Sequence, residues 1–375
     1  MNQSKSNNTF SAHAAPLAAG EVIPPPRPEP FMGAISHPDL YLWDVWSAQQ
    51  AGDIHLYCLA VSRTDVNGHV FPPADRNLAR FHIRHFLSVD AGRSWQDRGC
   101  FQQPRVGHNT FDSRTIWSGS ILPLADGRKL AGYTGIREAD SNLLFQQSLA
   151  LAVSNDWDQL VPGSHQLLSD PLSDWQTITD QGYYLGEVNS LGHKDGEADG
   201  PILAWRDPFF IQHDEQLHMY WGAKMGDGAS ALGHAIVAET DSGFVLDQLL
   251  PPTAMPDGDL YTQLELPKVM FDDKSERFLL IIGSCNRLHE RQSDAEADKQ
   301  VRMYQSNSLD GPWQPHGHRG STLDLAEPHM FGITVIDANF DDRKLHYVAP
   351  YTEQAGEEKF LTLSPTYSLD LDELG

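Results

Sequence analysis

Helical periodicity is weak along the whole chain. What recurs is a short apolar or alternating run, a break at Asp, Gly or Asn, and a second such run, which is the pattern of antiparallel hairpins. Five stretches follow it with an Asp-containing turn: WDVWSAQQAGDIHLYCLAVS from Trp43, WSGSILPLADGRKLAGYTG from Trp117, RDPFFIQHDEQLHMYWGAK from Arg206, ELPKVMFDDKSERFLLIIGS from Glu265 and MFGITVIDANFDDRKLHYVAP from Met330. A second unit follows most of them, a strand ending in Ser or Thr, a tight turn and an aromatic. It reads FHIRHFLSVDAGRSW, SLALAVSNDW, GHAIVAETDSGF and VRMYQSNSLDGPW, and FLTLSPTYSLDL supplies a last strand pair. Two hairpins make a four-stranded antiparallel sheet. Five such units predict an all-β, single-domain five-bladed propeller over residues 31–375, with a central funnel. An irregular β-sandwich competes with this reading but does not require five matched hairpin pairs.

Composition narrows the partners. The chain has 375 residues, 40% of them hydrophobic, enough to bury a large core. A net charge of −24 argues against nucleic acid and anionic membranes and leaves neutral or cationic ligands. Cys58, Cys100 and Cys285 are odd in number and far apart, so neither a disulfide framework nor a metal site is expected, and no cofactor is called for. No run approaches the ~18 apolar residues of a membrane span. Residues 1–30 are polar and then Pro-rich, without the continuous apolar stretch of a signal peptide. They read as a flexible tail on a cytoplasmic protein, or on one exported by a non-classical route.

In a propeller the first strand of each blade lines the channel. The residues that open the first hairpins are therefore the candidate site: Asp44 between Trp43 and Trp46, Trp117 and Ser118, Arg206 and Asp207, and Glu265 in QLELPKV after Gln263. Aromatic faces stack on sugar rings, and a low-dielectric wall strengthens a nearby charge. Glu265 between Leu264 and Leu266 is expected to be held protonated as a general acid, and Asp207, tied to Arg206, to stay ionised. Singly, an Asp in a β-turn is structural. Three carboxylates at matched positions of successive blades are the set a retaining glycosidase uses. SVDAGRSW, Ser88 to Trp95, fits an Asp-box, with Asp90 bonding the turn and Trp95 packed in the hairpin, and is read as a folding element.

With these residues in view, the chain resembles glycoside hydrolase family 68, the levansucrases, inulosucrases and β-fructofuranosidases, a family in the five-bladed clan shared with families 32 and 43. LYLWDVWSAQ resembles its nucleophile segment, WSGS a sugar-site segment, WRDPFF its Arg-Asp-Pro motif and LYTQLELPKV its acid/base segment; MYQSNSLDGPW and LTLSPTYSLDL match in place and order. The resemblance spans roughly Leu40 to Leu371. It implies Asp44 as nucleophile, Asp207 as transition-state stabiliser and Glu265 as acid/base. Trp43, Trp117, Ser118 and Arg206 would line the fructosyl subsite, and Arg287 would contact substrate. The departures are Val-Trp-Ser after Asp44, AEPHM near Glu327, and Leu266 where the family carries an Arg that reaches the sugar beyond the cleaved bond. They favour hydrolysis or short transfer over polymer synthesis.

Three readings follow. One is a retaining β-fructofuranosidase or fructosyltransferase acting on sucrose or a related sugar. The second is a clan relative acting on an arabinoside or another fructoside, and the third a catalytically silent sugar-binding propeller.

Overall fold

A computed structural model describes residues 30–374 except 73–74, 76–77, 139–143, 194–199, 319, 328–329 and 352–360. The segment read as an N-terminal tail lies almost wholly outside these residues.

The five hairpins fold where the alternation places them. Blade 1 holds β2 (Leu40–Gln50), β3 (Asp53–Ser62), β4 (His82–Ser88) and β5 (Ser94–Gln102), with the short β1 (Phe31–Met32) added to its outer edge. Blade 2 holds β6 (Thr115–Pro123), β7 (Lys129–Ile136), β8 (Gln147–Ser154) and β9 (Gln166–Ser169). Blade 3 holds β10 (Arg206–His213), β11 (Gln216–Gly226), β12 (Ala229–Thr240) and β13 (Gly243–Leu249). Blade 4 holds β14 (Gln263–Asp272), β15 (Arg277–Cys285), β16 (Lys299–Ser306) and β17 (Gln314–Pro315). Blade 5 holds β18 (Thr334–Asn339), β19 (Lys344–Val348) and β20 (Tyr367–Asp370). All pairings are antiparallel, and α-helix among the described residues is confined to α1 (Trp175–Asp180) and α2 (Leu371–Leu374).

Blade 5 departs from the expected last strand pair. Only its second half, β20, joins the sheet; Leu363 instead bridges Pro350 on one side and Ile35 on the other. The reason is ring closure. The Leu42 N–H donates to the Leu361 carbonyl at 2.8 Å, and Ile35 and Leu363 exchange two backbone bonds. The C-terminal segment thus stitches blade 5 to blade 1. The Ser47 hydroxyl adds a bond to the Val335 carbonyl at 2.9 Å.

Each seam between blades is filled by its own apolar cluster. Tyr57, Ile116 and Tyr133 fill the first seam, Leu149, Met219 and Trp221 the second, and Tyr220, Leu264 and Ile282 the third. Ile281, Met303 and Leu345 fill the fourth, and Leu42, Leu56, Trp95, Ile336 and Leu363 close the ring. The Asp-box has the structural role expected of it. The Asp90 carboxylate accepts from the Ser94 N–H at 2.9 Å and the Ser94 hydroxyl at 2.7 Å, and Trp95 is fully buried in the closing seam.

Leu363 is wholly buried in that seam. Leu363→Ala is expected to lower unfolding free energy by about 2–5 kcal/mol, whereas Met32→Ala, at a side chain 75% exposed, should change it by less than about 0.5 kcal/mol. Denaturant unfolding of both variants measures the difference.

Candidate active site

A regular inner strand would send alternate side chains to opposite blade faces and none reliably into the channel. The inner strands of blades 1 to 4 break that regularity at matching places. Each carries one extra residue: between Leu42 and Val45, Trp117 and Gly119, Arg206 and Phe209, and Glu265 and Lys268. Such bulges bend the strand and re-aim its side chains. They contain or border Trp43 and Asp44, Ser118, Asp207, and Glu265. In blades 3 and 4 the bulge has one chemical form, a residue at positive φ followed by proline: Asp207 at φ 65 before Pro208, and Leu266 at φ 57 before Pro267. Proline has no N–H to leave unpaired when the ladder opens, which suits it to a bulge.

The bulges bring the candidates to one cavity. Trp43, Asp44, Trp117, Ser118, Arg206, Asp207, Gln263, Glu265 and Arg287 all line it. Trp46 does not. It is 3% exposed and packs in the seam between blades 1 and 2, its backbone paired with Tyr57, because it lies beyond the bulge on a regular stretch of strand. The expectation that Trp46 stacks on a sugar is therefore corrected. Glu327 is also absent from the lining; it is exposed and accepts a hydrogen bond from the Tyr367 hydroxyl.

Asp44 accepts from the Ser118 hydroxyl at 2.6 Å. Burial pushes its carboxyl up to about 6. The Ser118 bond opposes this, Glu265 adds to it, and Lys268 and Lys299 oppose it. Asp207 is anchored by blade 2: its N–H donates to the Thr134 hydroxyl at 2.8 Å, and the Pro208 carbonyl accepts from the Ser120 hydroxyl at 2.8 Å. One carboxylate oxygen accepts from the Leu266 N–H at 3.1 Å.

Arg206 turns away from its neighbour in sequence. Its Nη2 donates to Glu265 Oε1 at 3.0 Å and to Gln263 Oε1 at 3.2 Å, and its Nη1 to the Leu203 carbonyl at 2.8 Å; its approach to Asp207 is 3.9 Å, from Nε. This corrects the expectation that Arg206 keeps Asp207 ionised. Burial lifts Asp207 to about 7, with the nearby Arg206 opposing and the Asp44 and Glu265 charges adding to the rise. The environment of Glu265 differs from the apolar one its neighbours in sequence imply. Leu264 is buried in the seam with blade 3, and Leu266 packs toward Gly332, while the Glu265 carboxylate is partly exposed and ion-paired with Arg206. Gly332 has φ +67, a conformation that favours glycine, and a Cβ there would press on Leu266 Cδ1 at 2.5 Å.

Several residues of the site escape sequence reading. Phe81, Phe145 and Phe331 add apolar wall, and Gln147, Glu290 and Lys299 add polar groups. Thr134 and Lys268 act from behind the wall. Pro267 is the one local signal for Lys268, since a proline inside a strand points to a bulge that would change which face Lys268 takes. Among the described residues, no group of three or more His, Cys, Asp or Glu side chains is placed to hold a metal ion. No helix there is long and apolar enough to cross a membrane.

The raised Asp207 carboxyl has a consequence for stability. Its unfolded value is about 3.9. The folded state thus holds the proton more tightly, and the associated stability is present below about pH 4 and lost as pH rises through about 7. Asn cannot ionise. Asp207→Asn is expected to gain stability relative to the parent between pH 4 and pH 8, by roughly 2–4 kcal/mol, as thermal unfolding at the two pH values reads.

No protein-family model matches this sequence, and no curated protein matches it. Among solved structures the chain is similar to Bacillus subtilis levansucrase, with a TM-score of 0.60, 16% identity, and 89% of this chain and 85% of that chain covered. A levansucrase complexed with sucrose gives a TM-score of 0.58 at 16% identity over 89% of this chain and 85% of that one. A substituted B. megaterium levansucrase gives 0.60 at 16% over 88% and 83%. At this identity the likeness establishes the architecture, a five-bladed propeller, and the chemistry of the channel has to be read from the channel itself.

Proposed function

We propose that the protein is a retaining glycosidase acting on a β-fructofuranoside such as sucrose, with hydrolysis favoured over polymer synthesis. The observation that carries this reading is the convergence of Asp44, Asp207 and Glu265, from three blades, on one cavity walled by Trp43 and Trp117. In this reading Asp44 attacks the anomeric carbon while Glu265 gives its proton to the departing oxygen. Water, deprotonated by Glu265, then cleaves the fructosyl ester, and Asp207 bonds the sugar hydroxyls. Ser118 holds the attacking carboxylate in one orientation, and Arg206 does the same for Glu265. The fold neighbours include levansucrase structures with sucrose and with oligosaccharides, which supports a sugar ligand.

One observation favours a second reading, a furanoside other than sucrose. Leu266 stands where the resembled family carries a substrate-contacting Arg. It is 4% exposed, packs toward Gly332 and leaves the cavity lining. Incubation with sucrose, reading glucose against free fructose, separates hydrolysis, transfer and inactivity on this donor.

Asp44→Asn is expected to reduce turnover by several orders of magnitude in a folded protein; near-normal activity would remove Asp44 as nucleophile. Attack needs the ionised carboxylate, so kcat/KM should fall as pH drops through about 6, higher than for an unperturbed Asp. Glu265→Ala should suffer most on poor leaving groups and much less on an aryl fructoside, with added azide restoring turnover. Equal loss on both substrates, with no azide effect, would reassign the acid/base.

A further inference from the structure

We propose that Lys268 is a positioning residue of the site: a buried ammonium that fixes the β14 bulge and supplies the counter-charge beneath Asp44 and Asp207. The inference rests on the reading of these two carboxylates given above.

Lys268 is 6% exposed and does not line the cavity, so it is not placed to touch a sugar. A buried lysine is rare unless its charge is compensated. Its placement is a product of the bulge. Glu265 pairs with Gly283 and Lys268 with Ile281, two residues apart on β15 and therefore on one face. On β14 they are three apart, and a regular strand would have put them on opposite faces.

The bulge is pinned on both sides of Leu266. Its N–H donates to Asp207 Oδ2 at 3.1 Å, and its carbonyl accepts from Lys268 Nζ at 3.1 Å. The left-handed φ of 57 is unfavourable for a leucine, and the two bonds compensate for it. Two carboxylates from other blades, Asp44 of β2 and Asp207 of β10, act on the ammonium through space. Both raise its affinity for the proton, while burial, the larger effect, lowers it to about 8. In return Lys268 helps Asp44 ionise, together with Lys299 and against Glu265. Arg206 and the Leu266 N–H favour the ionised form of Asp207, against Asp44 and Glu265.

Lys268→Met removes the charge and keeps the length. The expected result is a kcat lowered by at least about tenfold at neutral pH, a KM within about threefold of the parent, and an acid limb moved up by about one unit, the size of shift a neighbouring charge produces. Lys268→Arg should keep the limb near its original position. A part confined to packing would lower kcat or the melting temperature and leave the limb in place, and that result would overturn the proposal. The infrared band of buried protonated carboxyls, assigned to Asp44 by its loss in Asp44→Asn, reads the same quantity without turnover. It should persist to higher pH in Lys268→Met, and an unmoved band is a second way for the proposal to fail. Since the band needs no substrate, a parent protein inactive on every fructoside would sink the proposed function without deciding this one. If Lys268→Met alone does not fold, the double variant Asp44→Asn with Lys268→Met is expected to fold, because neither charge is then left without the other. An equally unfolded double variant would overturn the counter-charge.

Discussion

Three carboxylates facing one cavity repel one another, two of them buried as well, and the site is built around the compensation of that repulsion. Each carboxylate has a different partner. Ser118 holds Asp44 by a hydroxyl bond at 2.6 Å, Arg206 holds Glu265 by an ion pair at 3.0 Å, and Asp207 is met by the backbone N–H of Leu266 at 3.1 Å. Each of these bonds crosses from one blade to another. Ser118 belongs to blade 2 and Asp44 to blade 1; Arg206 and Asp207 belong to blade 3, and Glu265 and Leu266 to blade 4. The chemistry and the assembly of the ring are therefore coupled, and a shift between blades would be felt at the channel as a lost bond to a charge.

The bulges make this possible. A flat ladder satisfies its backbone groups internally and gives the channel an edge rather than a set of side chains. One extra residue per inner strand frees backbone groups at the mouth, and the freed groups then serve as ligands, as the Leu266 N–H does for Asp207 and the Leu266 carbonyl for Lys268. Blades 3 and 4 use the same device in related form. Arg206 and Glu265 stand at equivalent places before their bulges and pair with each other, and Asp207 and Leu266 stand at equivalent places inside them and are hydrogen-bonded. The quasi-symmetry of a propeller thus places complementary groups side by side at the seam.

The partners of the two buried carboxylates differ. Asp44 has a hydroxyl and two lysine charges favouring its ionised form against burial and the Glu265 charge, whereas Asp207 has Arg206 and the Leu266 N–H against burial and the charges of Asp44 and Glu265. The net charge of −24 on the chain makes the buried Lys268 and the inward-facing Arg206 more telling, since acidic residues outnumber basic ones nearly two to one.

The sequence by itself determined the five hairpins, their order, the Asp-box turn and the identities of the channel carboxylates. These are local matters: strand alternation and turn residues act over a few positions, and the first strand of each repeat falls at the channel wherever the repeat is recognised. Trp46 shows where that logic stops. Trp43 and Trp46 flank Asp44 alike in the sequence and both pack against the seam between blades 1 and 2, but Trp43, inside the bulge, also lines the channel, whereas Trp46, beyond it, is buried in the seam. Arg206 shows it again, adjacent to Asp207 in the chain and bonded to Glu265 in space. The splitting of the last strand pair, with Leu363 closing the ring instead of joining blade 5, was likewise decided by the tertiary structure. So was the burial of Lys268. Bulge position, seam burial and the pairing of charges across blades depend on residues tens to hundreds of positions apart, and only the closed ring brings those residues into contact.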